Sequence, residues 1–259
     1  MSEQVAPERQ IPGLTIGISC PRRILFTHRL ISLGLRIAGA RTLYIRPGSR
    51  VDVSLLDGLV FSGGTHVHPS LYGQEPEVEA RYDHLRDETD RYLLAQAEKL
   101  CLPVLGICRG SQLINIHRGG SLAQNVTPLR VKTRHRPLLL PLQTVRVVKG
   151  SRLREAVLSP SIGANRIHSQ AIKRLGRHLR VVAVDNDLFV QAIENTEGQW
   201  LMGVQWHPEY LLYHPLHRRL FRCLVDAARE LKLARIEGKA KHDPGISNAS
   251  AEQENNSTL

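Results

Sequence analysis

PVLGICRG, at residues 103–110, is the segment from which the expected architecture follows. Its apolar first half predicts a buried strand, and residues 111–117 (SQLINIH) predict a helix directly after it. Gly106 and Gly110 lie two positions before and after Cys108, which is typical of a sharp strand-to-helix turn that presents a nucleophile. A helix N-terminus favours thiolate over thiol. Cys108 is therefore a candidate nucleophile, although glycine and cysteine in a buried turn could also serve packing only.

The rest of the chain repeats the alternation of strand and helix. Strand-like runs precede this segment at residues 14–20, 42–45 and 57–61, and helical patterns lie at residues 29–38 and 86–100. This order predicts an α/β fold with a mostly parallel sheet covered by helices on both faces. The second half differs, because short strand-like runs separated by turns precede a last helix. The runs lie at residues 142–148, 180–184, 190–194 and 200–204, and the helix at residues 215–231.

Composition divides the chain into one folded region and two polar ends. Residues 1–12 are polar and contain prolines, which predicts a flexible N-terminal arm. Residues 13–235 are predicted to form one domain, and residues 236–259, which hold few large apolar side chains, a disordered tail. Within the domain, residues 65–85 predict a long loop of a kind that is often functional. The sequence has no signal-peptide pattern and no run of about 18 apolar residues, so we expect a cytoplasmic protein without a membrane partner.

The charge of the chain raises nucleic acid as a partner. The formal net charge is +11 and the pI is about 10.0. The basic residues do not form one tract, however, and the densest run is Arg130–Arg136 (RVKTRHR). Aromatic residues make up 5% of the chain, and no aromatic-rich strand offers a platform for stacking bases. The basic residues are better explained as solvated faces, and a nucleic-acid partner is not expected.

The cysteines and histidines do not predict a metal site. The four cysteines lack the short paired spacings of zinc ligands, and those other than Cys108 are expected in or near the core. Five histidines are candidate ligands, but their spacing fits no compact site: His66, His68, His84, His135 and His178. A reaction at a thiolate needs only an imidazole and backbone donors, so no metal and no organic cofactor is expected.

A cysteine nucleophile needs a general base, and the base needs a group that orients it. His207 lies in GVQWHPE, residues 203–209, where an apolar strand ends and Pro208 prevents its continuation. On an extended backbone, residues two apart point the same way. Glu209 can then reach one imidazole nitrogen of His207 while the other nitrogen faces Cys108. A capped strand end with a surface carboxylate is the alternative interpretation of this heptapeptide.

GICRG at residues 106–110 together with GVQWHPE resembles the class I glutamine amidotransferase superfamily. Within it the chain is most similar to the γ-glutamyl-γ-aminobutyrate hydrolase-like branch, among the C26 cysteine peptidases. The likeness runs from about Thr15 to Asp226. Further motifs that carry it are DGLVFSGG at 57–64, PSLYG at 69–73, Arg86-Asp87, and Asn165 with HSQA at 168–171.

The resemblance implies a flavodoxin-like, mostly parallel sheet flanked by helices, with an added antiparallel β portion. It implies Cys108 as nucleophile, His207 as base and Glu209 as orienting group. The backbone N–H groups of Gly64 and Arg109 would form the oxyanion hole. Substrate-binding residues implied by the same motifs are Gly63, Gln112, Asn165, Arg166, His168 and Gln170. The chemistry implied is attack of the Cys108 thiolate on a γ-amide carbonyl, followed by hydrolysis of a γ-glutamyl thioester.

Four positions depart from the pattern of that branch. His66 replaces an aspartate, Arg166 a serine, Ser169 a histidine and Gln191 a glutamate. Two acidic positions are lost and an arginine is gained, which predicts a more positive pocket rim. We therefore expect a leaving amine that carries an acidic group, or at least one that is not a polyamine cation.

Three functions remain open on the sequence. The first is a stand-alone γ-glutamyl hydrolase that acts on a small γ-glutamylated molecule, since the chain carries no synthetase domain. The second is a glutaminase subunit that delivers ammonia to a separate synthetase partner. The third is a non-catalytic binding or regulatory protein, against which the complete Cys–His–Glu set argues. A homodimer is compatible with all three.

Overall fold

The computed structural model describes residues 13–133 and 138–240. Their eleven strands are β1 (Leu14–Ser19), β2 (Ala40–Ile45), β3 (Gly58–Phe61), β4 (Val104–Ile107), β5 (Ser121–Ala123), β6 (Leu138–Val147), β7 (Ser161–Arg166), β8 (Ala171–Arg174), β9 (Leu179–Val184), β10 (Val190–Asn195) and β11 (Leu201–Val204). Their helices are α1 (Phe26–Ile37), α2 (His84–Lys99), α3 (Arg109–His117), α4 (Arg152–Val157) and α5 (Pro215–Ala240). Among these residues, no helix is long and apolar enough to cross a membrane.

Nine strands form one sheet in the order β2-β1-β3-β4-β11-β10-β9-β6-β7. The first five strands in this order run parallel to one another. Their order corresponds to the flavodoxin-like arrangement, in which ligands bind beyond the carboxyl ends of the strands. The other four pair in antiparallel fashion and extend the sheet on one side. The prediction of an α/β fold with a flavodoxin-like sheet and an antiparallel addition is confirmed.

Both faces of the parallel strands are buried, which explains their continuous apolar sequences. All four residues of β3, β4 and β11 are buried. On one face these strands pack against α1 and α5 through side chains such as Ile31 and Phe221. On the other face they pack against α2 and α3 through side chains such as Leu94 and Leu113. The centre of the sheet is therefore covered by helices on both faces.

The structure differs from the sequence predictions at several boundaries. Strands β5, β7 and β8 and helix α4 were not predicted, and β5 pairs with β8 in a separate small sheet. Helix α5 continues to Ala240, so residues 236–240 of the predicted tail are helical. Residues 1–12, residues 241–259 and His135 lie outside the described residues. In the predicted loop, residues 69–72 form a 3₁₀ turn, and Asp83 caps the start of α2.

Candidate active site

Cys108 lies at the junction of β4 and α3, where it forms the N-cap of the helix. Its backbone has φ +52° and ψ −103°, a conformation that side chains rarely adopt. The flanking glycines make the turn sterically feasible. A Cβ atom on Gly110 would lie 2.1 Å from the carbonyl oxygen of Phe61, and one on Gly106 would lie 2.6 Å from the Gly110 carbonyl carbon. The start of α3 therefore packs directly on β3, and the thiol stands at the carboxyl edge of the sheet.

His207 and Glu209 follow β11 and form a hydrogen-bonded pair. The imidazole Nδ1 lies 2.8 Å from Glu209 Oε1, and Thr27 donates to the same oxygen at 2.9 Å. Burial lowers the pKa of His207, but the charges of Glu209 and Cys108 outweigh burial and raise this pKa well above 6.5. The arrangement therefore favours an imidazolium at His207.

Asn165 of β7 holds the backbone of His207 in position. Its side-chain amide donates to the His207 carbonyl at 2.8 Å and accepts from the His207 N–H at 2.8 Å. Gly63 supports the imidazole from another side, because a Cβ atom there would lie 2.6 Å from His207 Cε1. The sequence predicts substrate-binding roles for Asn165 and Gly63. In the structure both contact His207, and their substrate contacts stay a prediction.

The loop after β3 lies against a buried guanidinium. Arg86 donates to the carbonyl oxygens of Ser62 at 2.9 Å and Gly63 at 3.1 Å. A Cβ atom on Gly64 would lie 2.2 Å from Arg86 Nη1, so a side chain there would displace the guanidinium. Burial, together with the nearby charge of Arg109, lowers the pKa of Arg86 to about 10, which leaves the side chain charged at neutral pH. Arg86 thus binds the carbonyl oxygen of the Gly63–Gly64 peptide, whose N–H group is the predicted oxyanion donor.

The second predicted oxyanion donor belongs to the same buried network. The guanidinium of Arg109 pairs with the carboxylates of Asp87 and Asp90, and Arg86 lies 3.5 Å from Asp90. Two arginines and two aspartates balance one another, as buried charges must. The first turn of a helix leaves backbone N–H groups unpaired, among them that of Arg109. The structure brings Gly64 and Arg109 into one network, and their role as oxyanion donors stays a prediction.

A chain of glutamines determines which group faces the sulfur. Gln112 Nε2 lies 3.1 Å from the Gln170 carbonyl oxygen and 3.0 Å from Gln205 Oε1. A backbone carbonyl can only accept, so the Gln112 atom that meets it must be the NH₂ group. Its second proton then requires an acceptor on Gln205. Gln205 must therefore turn its own NH₂ group toward Cys108, where Nε2 lies 3.5 Å from Sγ. Gln205 was not predicted as a site residue, although it lies within GVQWHPE.

Several buried polar atoms around Gln170 have no hydrogen-bond partner within 3.5 Å among the described residues. They are both side-chain amide atoms of Gln170, Nε2 of His168 and the hydroxyl of Tyr72. Burial lowers the pKa of His168 to about 3, so the imidazole is neutral, and its Nδ1 contacts the Gln170 carbonyl at 2.9 Å. Unpaired buried polar groups are costly unless a bound molecule satisfies them. This supports the predicted roles of His168 and Gln170 and adds Tyr72, which lies in the PSLYG motif.

The surroundings of Arg166 and His66 bear on the predicted positive charge of the pocket rim. Arg166 donates to Thr133 at 3.2 Å and lies close to the carboxylates of Asp185 and Asp187. His66 bonds Ser169 at 2.8 Å, and burial lowers its pKa below 6.5, so it is neutral at pH 7. Arg130 pairs with the same two carboxylates, at 3.1 Å from Asp185 and 3.4 Å from Asp187, so the more positive rim stays a prediction. Within residues 13–133 and 138–240, no three metal-ligating side chains cluster closely enough to hold a metal ion.

Comparison with known proteins places this site in a family context. The family model of peptidase C26 matches residues 46–209. PB2B2.05 of Schizosaccharomyces pombe, provisionally named a glutamine amidotransferase, is 34% identical over 214 residues, which cover 80% of this chain and 84% of that protein. The γ-glutamyl-γ-aminobutyrate hydrolase PuuD of Escherichia coli K12 is 31% identical over 187 residues, which cover 67% of this chain and 72% of that protein.

A solved structure shows the same fold. It comes from Thermoplasma acidophilum and is provisionally assigned as one subunit of GMP synthase. It superposes with a TM-score of 0.62 at 20% identity, over 88% of this chain and 98% of that chain. At this identity the likeness concerns the fold, which is the flavodoxin-like sheet with its antiparallel addition.

Proposed function

The chain belongs to the peptidase C26 family, and we propose that it hydrolyses the γ-glutamyl amide bond of a small γ-glutamylated amine or amino acid. The observation that carries the proposal is the position of Cys108 between the helix N-terminus and the His207–Glu209 pair. The similarity to the hydrolase PuuD supports this class of substrate. The unpaired polar atoms of Gln170, His168 and Tyr72 offer binding partners for a polar glutamyl group.

In this mechanism the Cys108 thiolate attacks the γ-carbonyl carbon and forms a tetrahedral oxyanion. The N–H groups of Gly64 and Arg109 donate to this oxyanion. The imidazolium of His207 gives its proton to the leaving nitrogen, the C–N bond breaks, and an amine departs. A γ-glutamyl thioester remains on Cys108. Neutral His207 then takes a proton from water, the resulting hydroxide attacks the thioester, and glutamate is released while the thiolate and imidazolium are restored.

A second candidate is a glutaminase subunit that acts on glutamine and passes ammonia to a synthetase. The provisional names of the S. pombe relative and of the T. acidophilum protein favour this alternative. The chemistry at Cys108 is the same in both cases. The two differ in the leaving group and in the dependence on a partner protein.

Glutamate release from a panel of compounds tests the proposal. The panel contains glutamine, γ-glutamyl-γ-aminobutyrate, γ-glutamyl polyamines and γ-glutamyl amino acids. We expect release from one γ-glutamyl amide and its loss in Cys108→Ala. Cys101→Ala is the matched control, because Cys101 is exposed and also has a positive φ of +51°. Hydroxylamine should trap the thioester as a γ-glutamyl hydroxamate in the wild type only.

Two outcomes would count against the proposal. Release from glutamine alone, stimulated by a partner protein, would favour the glutaminase subunit. Release that persists in Cys108→Ala would exclude the covalent mechanism.

A further inference from the structure

A cavity of about 470 Å³ lies between the C-terminal end of α1 and the first turns of α5. It shares no residue with the Cys108 site, and nothing in the proposed reaction uses it. Its volume falls within the range of about 300–1,000 Å³ typical of small-molecule sites. Ile37 and Ala38 of α1 form an apolar part of its wall.

One side of the cavity carries four arginines from α5. Arg218, Arg222 and Arg229 are spaced so that they follow one face of the helix, and Arg219 lies beside them. Asp226 is the carboxylate among the lining residues. Four arginines and one aspartate leave three positive charges without a carboxylate in the cavity wall. This local excess is not explained by a need for solubility, which scattered charges would meet equally well.

The guanidinium groups keep unused hydrogen-bonding capacity. Asp226 accepts from Arg229 at 2.6 Å and lies 3.8 Å from Arg222. Arg218 donates to the backbone carbonyl of Leu212 at 2.7 Å. Within the described part of the chain, Arg218 and Arg219 form no ion pair with a carboxylate. Each guanidinium has five N–H donors, so most donors in the cavity stay available to a ligand.

Like charges that converge on a concave surface repel one another and produce a positive potential that attracts anions. Arginine suits phosphate groups in particular, because its planar fork binds two phosphate oxygens at once. We propose that this cavity binds a small organic phosphate with at least two negative charges, whose uncharged part lies against Ile37 and Ala38. The proposal does not depend on the reaction at Cys108.

Isothermal titration calorimetry with the full chain at low salt tests this site. The probes are inorganic phosphate, inorganic pyrophosphate and ATP, each titrated at constant ionic strength. We expect wild-type protein to bind pyrophosphate or ATP, and the double variant Arg218→Ala/Arg219→Ala to bind at least about tenfold more weakly. Tighter binding of ATP than of pyrophosphate would identify the apolar wall as part of the site.

The matched control is Arg22→Ala/Arg23→Ala, an exposed adjacent pair that removes the same net charge. We expect it to change the affinity by less than about twofold. Because Arg218 also contacts Leu212, the pair Arg219→Ala/Arg222→Ala serves as a second variant, and thermal unfolding verifies that each variant folds. If the control pair weakened binding of the probes as much as Arg218→Ala/Arg219→Ala does, the loss of affinity would reflect overall charge, and the proposal would be overturned. Failure of every probe to bind the wild type would also overturn it.

Discussion

Cys108, the proposed nucleophile, has a backbone conformation that is strained for any residue with a Cβ atom. Conformations of this kind cost about 1–3 kcal/mol and persist where the surrounding structure holds them. Here the close contacts of Gly106 and Gly110 hold the turn. This conformation places Cys108 at the N-terminus of α3, which is the position that the proposed reaction requires.

We therefore expect Cys108→Gly to be more stable than Cys108→Ala. Glycine adopts positive φ without a steric penalty, so the free energy of unfolding should exceed that of the alanine variant by about 1 kcal/mol. Denaturant unfolding of the two variants measures this difference, and neither should release glutamate. Equal stability would mean that the turn carries no strain at this residue.

Gln205 should stabilise the thiolate through the donor that it turns toward Sγ. Gln205→Glu replaces this donor by an oxygen and should slow alkylation of Cys108 by iodoacetamide about tenfold at pH 7, since a hydrogen bond to a charged group contributes about 1.5–3 kcal/mol. Gln205→Met removes the donor without adding charge and should have a smaller effect. Unchanged alkylation in Gln205→Glu would show that the sulfur does not depend on this contact.

Short-range spacing in the sequence indicates part of this arrangement. The elbow around Cys108 and the two-residue step from His207 to Glu209 are local patterns, and the structure brings all three residues together. Other contacts join residues that are distant in sequence, such as Thr27 and Glu209, which lie 182 positions apart. The role of Gln205 depends on the orientation of Gln112, which no spacing reveals. These contacts required the folded chain.

At the scale of elements, helix α2 contacts both parts of the predicted oxyanion hole, which are the loop of Gly64 and the residue Arg109. Its apolar periodicity indicates a helix that packs through residues such as Leu93 and Ala97. The same periodicity does not indicate that Arg86, Asp87 and Asp90 are also buried. A buried polar face has no signature in hydrophobic spacing, because its partners come from other elements. The resemblance identifies Arg86-Asp87 as a motif, and the structure shows what the two side chains contact: Arg86 binds the loop of Gly64, and Asp87 pairs with Arg109.

Arg86→Lys tests whether this helix positions the loop of Gly64. A lysine keeps the charge but cannot donate to both carbonyls as the planar guanidinium does. We expect kcat on a γ-glutamyl substrate to fall at least about tenfold with little change in KM, because the oxyanion contacts act in the transition state. Arg91→Lys, an exposed position on the same helix, should leave both constants unchanged. A change confined to KM would instead indicate a role in substrate binding.

Strand prediction failed where strands are short or carry polar residues. Strand β7 ends in Asn165-Arg166, and the pattern of alternating apolar residues is weak along it. The strand forms because β6 offers a long antiparallel neighbour, which is a tertiary effect. Helix α4 has only six residues and depends on its Ser151 cap and on Glu194, whose carboxylate accepts from the N–H groups of its first turn. Such elements are set by their surroundings more than by their own sequence.

At the scale of the whole molecule, the His207–Glu209 pair should make stability depend on pH. The folded state raises the pKa of His207 well above 6.5. A raised pKa contributes stability that is fully present below the unfolded value of about 6.5 and is lost as the pH rises through the folded value. The pair should therefore stabilise the fold most under mildly acidic conditions.

We expect Glu209→Gln to lower the free energy of unfolding by about 1–3 kcal/mol at pH 6, since it removes a buried hydrogen bond to a charged group. The loss relative to wild type should shrink as the pH increases toward 10. Urea unfolding at pH 6, 8 and 10 measures it, with Glu230→Gln at an exposed position as control. A difference that stays constant over this range would contradict the raised pKa of His207.

The order of strands is the global property that periodicity does not determine. Elements and their types follow from local patterns, but β4 lies between β3 and β11, and Val104 pairs with Leu201 across most of the domain. The flavodoxin-like order came from the resemblance, which carries information about neighbours that a single sequence does not. Alternation of strands and helices indicates only that the sheet is largely parallel.

The strand β11 is the last in the chain, yet it pairs with β4 inside the sheet, and this has a consequence for synthesis on the ribosome. Until residues 201–204 emerge, one edge of the apolar strand β4 has no neighbour, and open edges of this kind are prone to wrong pairing. The strand that closes the sheet also brings His207 and Glu209 with it. In a nascent chain, the proposed nucleophile Cys108 therefore meets its proposed base His207 only after β11 has joined the sheet.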